Sequence, residues 1–412
     1  MSTLALTELL GQPVVEASGK VCGRVREVVL TPGDDRARVS NLIVRTKNGD
    51  RLLPFSAIVS VNGAVKASSA AAEWVEPQAD GLFLLERDLL DQQIIDVYGR
   101  KVVRVNDVDL HPETAPGHVQ LKVGSVDVGL RGAIRRLLKG VVPLAALKVM
   151  LTRIPPRLIP WEFVDLIETD PARRVKLKIS HDRLAKLHPA DIADIVEKLA
   201  PDEREAVFET LDEEIAAGAL EEVQPKVKKA ILESLDSDRA ADIVEEMDPD
   251  AAADLLADLP EERSSEILQE MQPEERQEVS DLLEFGETTA AGRMNTQYLA
   301  LSNQATANDA IEALRSYEGG IETVSTIYIV DEHDHLTGAV PLAKLVLAKS
   351  DDKLSALSQE PLISCHAGAR ESEVAEIFDK YNLITLPVID DDGKLTGVIT
   401  SDDVISLLRA KL

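Results

Sequence analysis

From His188 to Leu283 the sequence divides without a gap into eight segments of twelve residues. No other feature restricts the fold as tightly. The segments open at His188, Ala200, Asp212, Gln224, Asp236, Asp248, Pro260 and Gln272. Their last positions are always apolar: Leu199, Leu211, Val223, Leu235, Met247, Leu259, Met271 and Leu283. The eighth and ninth positions are mostly apolar too, as in Ile195-Val196, Ile231-Leu232 and Leu255-Leu256. Positions eight, nine and twelve share one face of an α-helix. Pro189, Pro201, Pro225, Pro249 and Pro273 each stand second in a segment, a first-turn position where the missing N–H costs nothing. Asp236-Ser237 supplies a polar cap instead. Each segment is therefore one short helix and a tight turn. A helix of about nine residues is marginal alone, so consecutive units must stack on a shared core. The expected result is an all-α superhelical solenoid.

This stretch is also the most acidic. It holds 30 Asp and Glu against 8 Lys and Arg, within a chain of 73 acidic and 45 basic residues and a net charge of −28. Such a surface repels phosphate backbones and argues against nucleic acid as a partner. Aromatic residues, at 3%, are too few for a stacking platform. The natural small partners are cations. Between Ala241 and Pro260 lie seven carboxylates and no basic residue. Most of the solenoid's acids are expected on a solvated outer face. Asp250 and Asp254 differ in standing one helical turn apart, and Mg²⁺ favours one or two carboxylates while keeping most of its waters. Crowded like charges also destabilise a fold until a cation neutralises them, which couples structure to metal concentration.

The region before the solenoid has β character. Period-2 alternation runs through Val21 to Val29 and Ser40 to Arg45, separated by turn signals such as Lys47-Asn48-Gly49-Asp50. The pattern recurs: Gln12 to Val21 parallels Gln92 to Lys101, and Arg51-Leu52-Leu53-Pro54-Phe55 parallels Arg157-Leu158-Ile159-Pro160-Trp161. Two copies of a small all-β barrel are expected. The second copy carries an extra Arg-, Leu- and Val-rich segment, about residues 130–155, expected to be helical and to cover a barrel end rather than lie on a membrane. The opening and closing motifs resemble the PRC-barrel family, whose members are generally adaptor modules.

The C-terminal region alternates helices and strands in two copies offset by 59 residues. Strands Thr326–Asp331 and Ile384–Asp390 each run through a turn into a second strand. The segment from Leu386 to Leu408, LPVIDDDGKLTGVITSDDVISLL, resembles a CBS domain. The segment from Ile327 to Ala348 resembles its partner, so together they imply an α/β tandem CBS (Bateman) module. In that family a Thr and an Asp hold the ribose of an adenine nucleotide, and Thr400 and Asp403 occupy those positions. Pro341 and Lys344 replace them in the first copy.

Solenoid, junction and CBS pair in this order resemble the cytosolic part of the MgtE magnesium transporters. The junction Leu282–Thr296, LLEFGETTAAGRMNT, carries the resemblance most specifically. It implies Mg²⁺ as the ligand, with Asp250, Asp254 and Asp403 as metal residues, and a homodimer formed through the CBS domains. Arg370, Asn382 and Ser406 stand where the family places further acids, so the metal sites between subunits are expected to be reduced. Family transporters continue into a connecting helix and a membrane pore, whereas this sequence ends at Leu412. The resemblance therefore implies a cytosolic Mg²⁺-sensing regulatory protein, acting on a separate membrane transporter or other protein through its PRC barrels. The alternative is a CBS scaffold that binds an adenine nucleotide and senses no metal.

The expected divisions are residues 1–75 and 85–172 for the barrels, 180–285 for the solenoid, and 292–350 and 351–412 for the CBS repeats. No enzymatic motif stands out: there is no nucleophile elbow, no phosphate-binding glycine loop and no His/Cys ligand spacing. His333 and His335 flank a hairpin turn and read as surface residues. Cys22 and Cys365 are too distant in sequence to frame a disulfide scaffold and fit a reducing compartment. The most apolar stretch, Val141 to Trp161, is broken by Lys148, Arg153 and Arg157, while a spanning helix needs roughly 20 mostly apolar residues. The expected location is the cytoplasm, with peripheral contact at the inner membrane face.

Overall fold

The structure is a computed structural model. It describes residues 3–30, 37–77, 82–115, 118–138, 142, 147, 150–151, 154–167, 181–285, 288–317, 324–359 and 361–410. The chain forms two compact units, Met1–Val227 and Lys228–Leu412. No helix among the described residues is long and apolar enough to cross a membrane.

The first unit opens with two copies of the β module, and they interlock. In the first copy β2 (Pro13–Val15), β3 (Val21–Leu30), β4 (Val39–Thr46), β5 (Gly49–Pro54), β6 (Ile58–Val61) and β7 (Val65–Ala67) are ordered β5-β4-β3-β2-β7-β6. The second copy contributes β9 (Gln93–Asp96), β10 (Lys101–Arg104), β11 (Asp107–Ala115), β12 (His118–Asp127), β13 (Leu158–Pro160) and β14 (Val164–Leu166). The opening strands are exchanged between copies. β1 (Leu4–Ala5) pairs with β11 of the second copy, and β8 (Phe83–Leu84) pairs with β3 of the first. Each opening strand runs into one helical turn, α1 (Leu6–Leu9) or α2 (Leu85–Asp88), capped by an acid of the other copy. Asp107 accepts from the Thr7 N–H at 3.2 Å and its hydroxyl at 2.6 Å. Glu27 accepts from the N–H groups of Val28 and Glu86, both at 2.8 Å, and of Arg87 at 3.2 Å.

One apolar core runs through both copies, joining Leu6, Val28, Leu42 and Phe55 to Leu85, Val108, Leu121 and Trp161. The sheets stay open, and none closes into a barrel among the described residues. The parallel between Arg51–Phe55 and Arg157–Trp161 is structural: Pro54 and Pro160 each end a strand and lead into a single 3₁₀ turn. Leu130–Leu137 is helical, as its composition implies. Its Arg135 is buried and contacts Asp107 at 2.8 Å, tying the helix to the module's core rather than leaving it free. Most of residues 139–153 lies outside the described residues.

The twelve-residue pattern folds as the periodicity dictates. The first unit holds helices Pro189–Val196, Pro201–Phe208 and Glu213–Glu222; the second holds Ser237–Glu245, Pro249–Ala257, Glu261–Glu270 and Pro273–Leu283. The unit boundary falls within the remaining helix, Pro225–Ser234. Within each unit helices pack on the next but one: Pro189–Val196 on Glu213–Glu222, Ser237–Glu245 on Glu261–Glu270, and Pro249–Ala257 on Pro273–Leu283. The twelfth-position residues from Leu199 to Met271 are buried, and Leu283 is half-buried. Arginines finish helix ends that lack intrahelical partners. Arg204 donates to the carbonyls of Val196 and Glu197, both at 3.1 Å. Arg263 donates to those of Leu232 at 2.7 Å and Leu235 at 2.5 Å.

The CBS region repeats one three-stranded sheet. β15 (Ala300–Ser302), β16 (Thr326–Val330) and β17 (Leu336–Pro341) form the first; β18 (Cys365–His366), β19 (Thr385–Ile389) and β20 (Leu395–Thr400) form the second. Their registers match at the expected offset, with Thr326 opposite Pro341 and Thr385 opposite Thr400. The two hairpins lean on each other, Leu336 N–H donating to Gly393 O and Leu395 N–H to Asp334 O, both at 3.1 Å. Both cysteines are free.

Candidate cation-binding site

The junction after the solenoid decides what its acidic helix faces. Asn295 exchanges both backbone hydrogen bonds with Val398 of β20, at 2.7 and 2.9 Å, so the junction adds itself to the second CBS sheet. Ala290 and Ala291 donate to the carbonyls of Ala369 and Ala367. Gly397 makes this closeness possible. A Cβ there would stand 2.7 Å from Met294 Cγ and Sδ, well inside contact distance.

Two helix N-termini thereby meet within the second unit. Asp248 stands at the N-cap of Pro249–Ala257 without a side-chain cap hydrogen bond, and Asp250 lies in its first turn. Asp402 and Asp403 occupy the first turn of Ser401–Ala410. Helix dipoles favour anions at both places, yet the acids also repel one another. Burial pushes the Asp250 carboxyl well above the usual carboxylate range, reinforced by Asp403, Asp248 and Asp254. Its Oδ1 is buried without a hydrogen-bond partner. Burial likewise raises Asp403 to about 6, opposed by hydrogen bonds from Thr400. Asp248 is raised by burial, opposed by a hydrogen bond with Asn295. The hydroxyl of Tyr317, influenced by Asp248 and Glu278, is also buried without a partner.

The structure divides the sequence-derived pair. Asp250 turns into the acidic cluster with Asp403, while Asp254 is engaged by Arg293 Nη1. The same guanidinium donates through Nε to Glu371 at 3.2 Å. Arg293 thus supplies a fixed positive charge between a solenoid acid and a CBS acid. Sequence reasoning passed over Arg293, Glu371 and Asp248. The signal was present for Arg293, the lone basic residue in the junction Leu282–Thr296.

Thr400 and Asp403 are together as the CBS resemblance implies, but they bind each other. Asp403 Oδ2 accepts from the Thr400 N–H at 3.0 Å and hydroxyl at 2.6 Å, a helix cap. A cavity of 200 Å³ in the CBS region is lined by Ser325, Thr326, Pro341, Tyr381, Asn382 and Thr385 among others, and by neither Thr400 nor Asp403. Both copies line it, with Pro341 from the first and Tyr381 to Thr385 from the second, and it is small beside the roughly 300 Å³ or more of typical ligand sites. Lys344 donates to the carbonyls of Leu357 and Ser358. Arg370 stands at the N-cap of Glu371–Tyr381 without a side-chain cap hydrogen bond, and Asn382 ends that helix in the left-handed region. The Ser406 side chain lies outside the described residues.

Hard carboxylate oxygens, one of them orphaned and buried, are the donor set that Mg²⁺ takes. Residues 187–288 match the family model of the MgtE intracellular N domain, residues 354–410 that of the CBS domain, and residues 1–72 that of the PRC-barrel domain. The magnesium transporter MgtE of Enterococcus faecalis is 30% identical over 135 residues, 33% of this chain and 30% of that protein. The chain thus spans under a third of the length of that relative. The crystal structure of the soluble part of a magnesium transporter superposes with a TM-score of 0.54 at 26% identity, covering 56% of this chain and 91% of that one. The cytosolic domain of the Mg²⁺ channel MgtE in complex with ATP gives 0.52 at 27%, covering 57% and 94%. The chain thus carries stretches similar to the PRC-barrel, MgtE intracellular N and CBS domains, and over about a third of its length it is similar to the MgtE magnesium transporters.

Proposed function

We propose that this protein is a Mg²⁺-responsive regulatory protein in which the cation binds where the acidic solenoid meets the second CBS repeat. The observation that carries the reading is the buried, unpartnered Asp250 Oδ1 among like charges. Asp250 and Asp403 would hold the ion with Asp248 beside them, and bound Mg²⁺ would offset the negative charge gathered there. Asp254 contributes to the same field but is matched by Arg293. Without the cation, repulsion strains the docking of Pro249–Ala257 on the CBS sheet; with it, the unit compacts. The relatives' names and the MgtE cytosolic structures support this reading, and dimer formation through the CBS domains and action on a separate transporter or other protein through the PRC modules belong to it. The work of the chain is regulatory rather than catalytic.

Thermal unfolding and limited proteolysis in MgCl₂, against KCl of equal ionic strength, test it. A site of millimolar affinity adds about 1–2 kcal/mol at tenfold saturation. Selective stabilisation by Mg²⁺, with protection of the Leu282–Thr296 junction, supports the reading. Equal action of both salts overturns it. Stabilisation by ATP or AMP without a metal effect would favour the nucleotide scaffold instead.

A further inference from the structure

The hairpin between β16 and β17 carries Asp331, His333 and His335, whose ligand atoms all lie within 4.8 Å of one another. Asp331 Oδ1 accepts from the backbone N–H groups of His333 at 2.8 Å and His335 at 3.0 Å, and Oδ2 meets His335 Nδ1 at 2.9 Å. The two imidazole rings are 5.9 Å apart and inclined by 31°.

The second repeat builds the same hairpin without histidine. Asp390 Oδ1 accepts from the N–H groups of Asp392 at 2.9 Å and Lys394 at 2.8 Å. The turn therefore requires the aspartate and is indifferent to the side chains two and four residues later. The histidines of the first hairpin, and the use of Asp331 Oδ2, remain to be explained. Backbone bonds to the sister hairpin hold the loop, so little backbone order would be lost on binding. His333 is exposed and His335 about half-buried, which leaves both rings free to turn a short way. Ligand atoms around tetrahedral zinc stand about 3.3 Å apart, given Zn–N lengths near 2.0–2.1 Å.

We propose that Asp331, His333 and His335 form a three-ligand site for a borderline divalent transition metal of the zinc type, with water in the fourth position. Two imidazoles and one carboxylate suit Zn²⁺, Co²⁺ or Ni²⁺, whereas Mg²⁺ prefers oxygen ligands alone. The site shares no residue with the carboxylate cluster at Asp250 and does not depend on it. Loaded, it would fasten the first hairpin and give the CBS pair a second metal input.

The test is calorimetric titration of the untagged full chain with ZnCl₂ in excess MgCl₂, together with the visible absorption of the Co²⁺ form. The expected result is one Zn²⁺ equivalent that Mg²⁺ does not displace. His333→Asn with His335→Asn should weaken it at least tenfold, as loss of a ligand exceeds the roughly 10–100-fold of an outer-sphere change, while Asp250→Asn leaves it intact. Circular dichroism confirms that the double variant folds. Absence of Zn²⁺ binding, equal binding by the double variant, or displacement by Mg²⁺ would overturn the assignment.

Discussion

Asp250 and Arg293 act in opposite electrostatic senses at one contact, and single substitutions separate them. Asp250→Asn removes a like charge and offers Asp403 an amide donor. The metal-free protein should gain about 1 kcal/mol, or about 2–4 °C in Tm for a unit of this size, while its response to MgCl₂ shrinks. An unchanged Mg²⁺ midpoint would sink the site. Arg293→Met leaves Asp254 and Glu371 facing each other with no cation between them. Melting temperature should fall in KCl, and the deficit should narrow in millimolar MgCl₂ because the ion takes over the role of the guanidinium. A deficit equal in the two salts would show that Arg293 matters only for packing. Glu27 offers a pH test away from metal. Burial raises its carboxyl to about 7 despite three backbone donors. With the folded value above the unfolded one, the stabilisation is complete below about 4.5 and is lost as pH rises through about 7. Glu27→Gln keeps an acceptor oxygen but cannot ionise, so stability plotted against pH between about 5 and 7 should flatten.

At the scale of elements, helix ends and the junction are the vulnerable points. Arg263 serves the carbonyls that close Pro225–Ser234, and its side chain is largely covered. Arg263→Ala strands those acceptors and should cost about 1–3 kcal/mol, measurable by urea unfolding. The junction depends on the absence of a side chain at position 397. Gly397→Ala forces Met294 away from β20 and should cost about 1–3 kcal/mol as an overpacked contact. Hydrogen exchange should show the loss at Asn295 and Val398 first.

The whole molecule adds a constraint on how the β modules can be cut. Their opening strands are exchanged and their core is continuous, so neither copy carries a complete set of contacts. A fragment ending at Pro77 loses the partner of β1 and the Asp107 cap of α1. It should be unfolded or self-associated by size-exclusion chromatography and circular dichroism, whereas residues 1–167 should give a cooperatively folded monomer. A stable monomeric first copy would refute the interlocked reading.

Local patterning determined most of the architecture. The twelve-residue period placed every solenoid helix, because positions eight, nine and twelve can be buried together only on one face. The eighty-residue echo in the β region and the 59-residue echo in the CBS region located both repeats, since strand alternation and turn residues act within a few positions. Asp250 and Asp254 stand out in the sequence by charge density and helical spacing and Asp403 by its place in the CBS motif, which is as far as local pattern reaches toward the proposed site. What tertiary structure alone decided was which charges meet. Exchange of β1 and β8 depends on distant edges meeting, Leu4 with Leu110 and Phe83 with Leu30. Arg293 reaches Asp254 across 39 positions, and Thr400 caps through Asp403 instead of standing open to a cleft. The two histidines beside Asp331 looked like surface residues in sequence, and only the folded hairpin brings their nitrogens to one carboxylate. Periodicity reports which face of an element is buried, whereas electrostatic partnership depends on distances of a few ångströms between segments that no local pattern encodes.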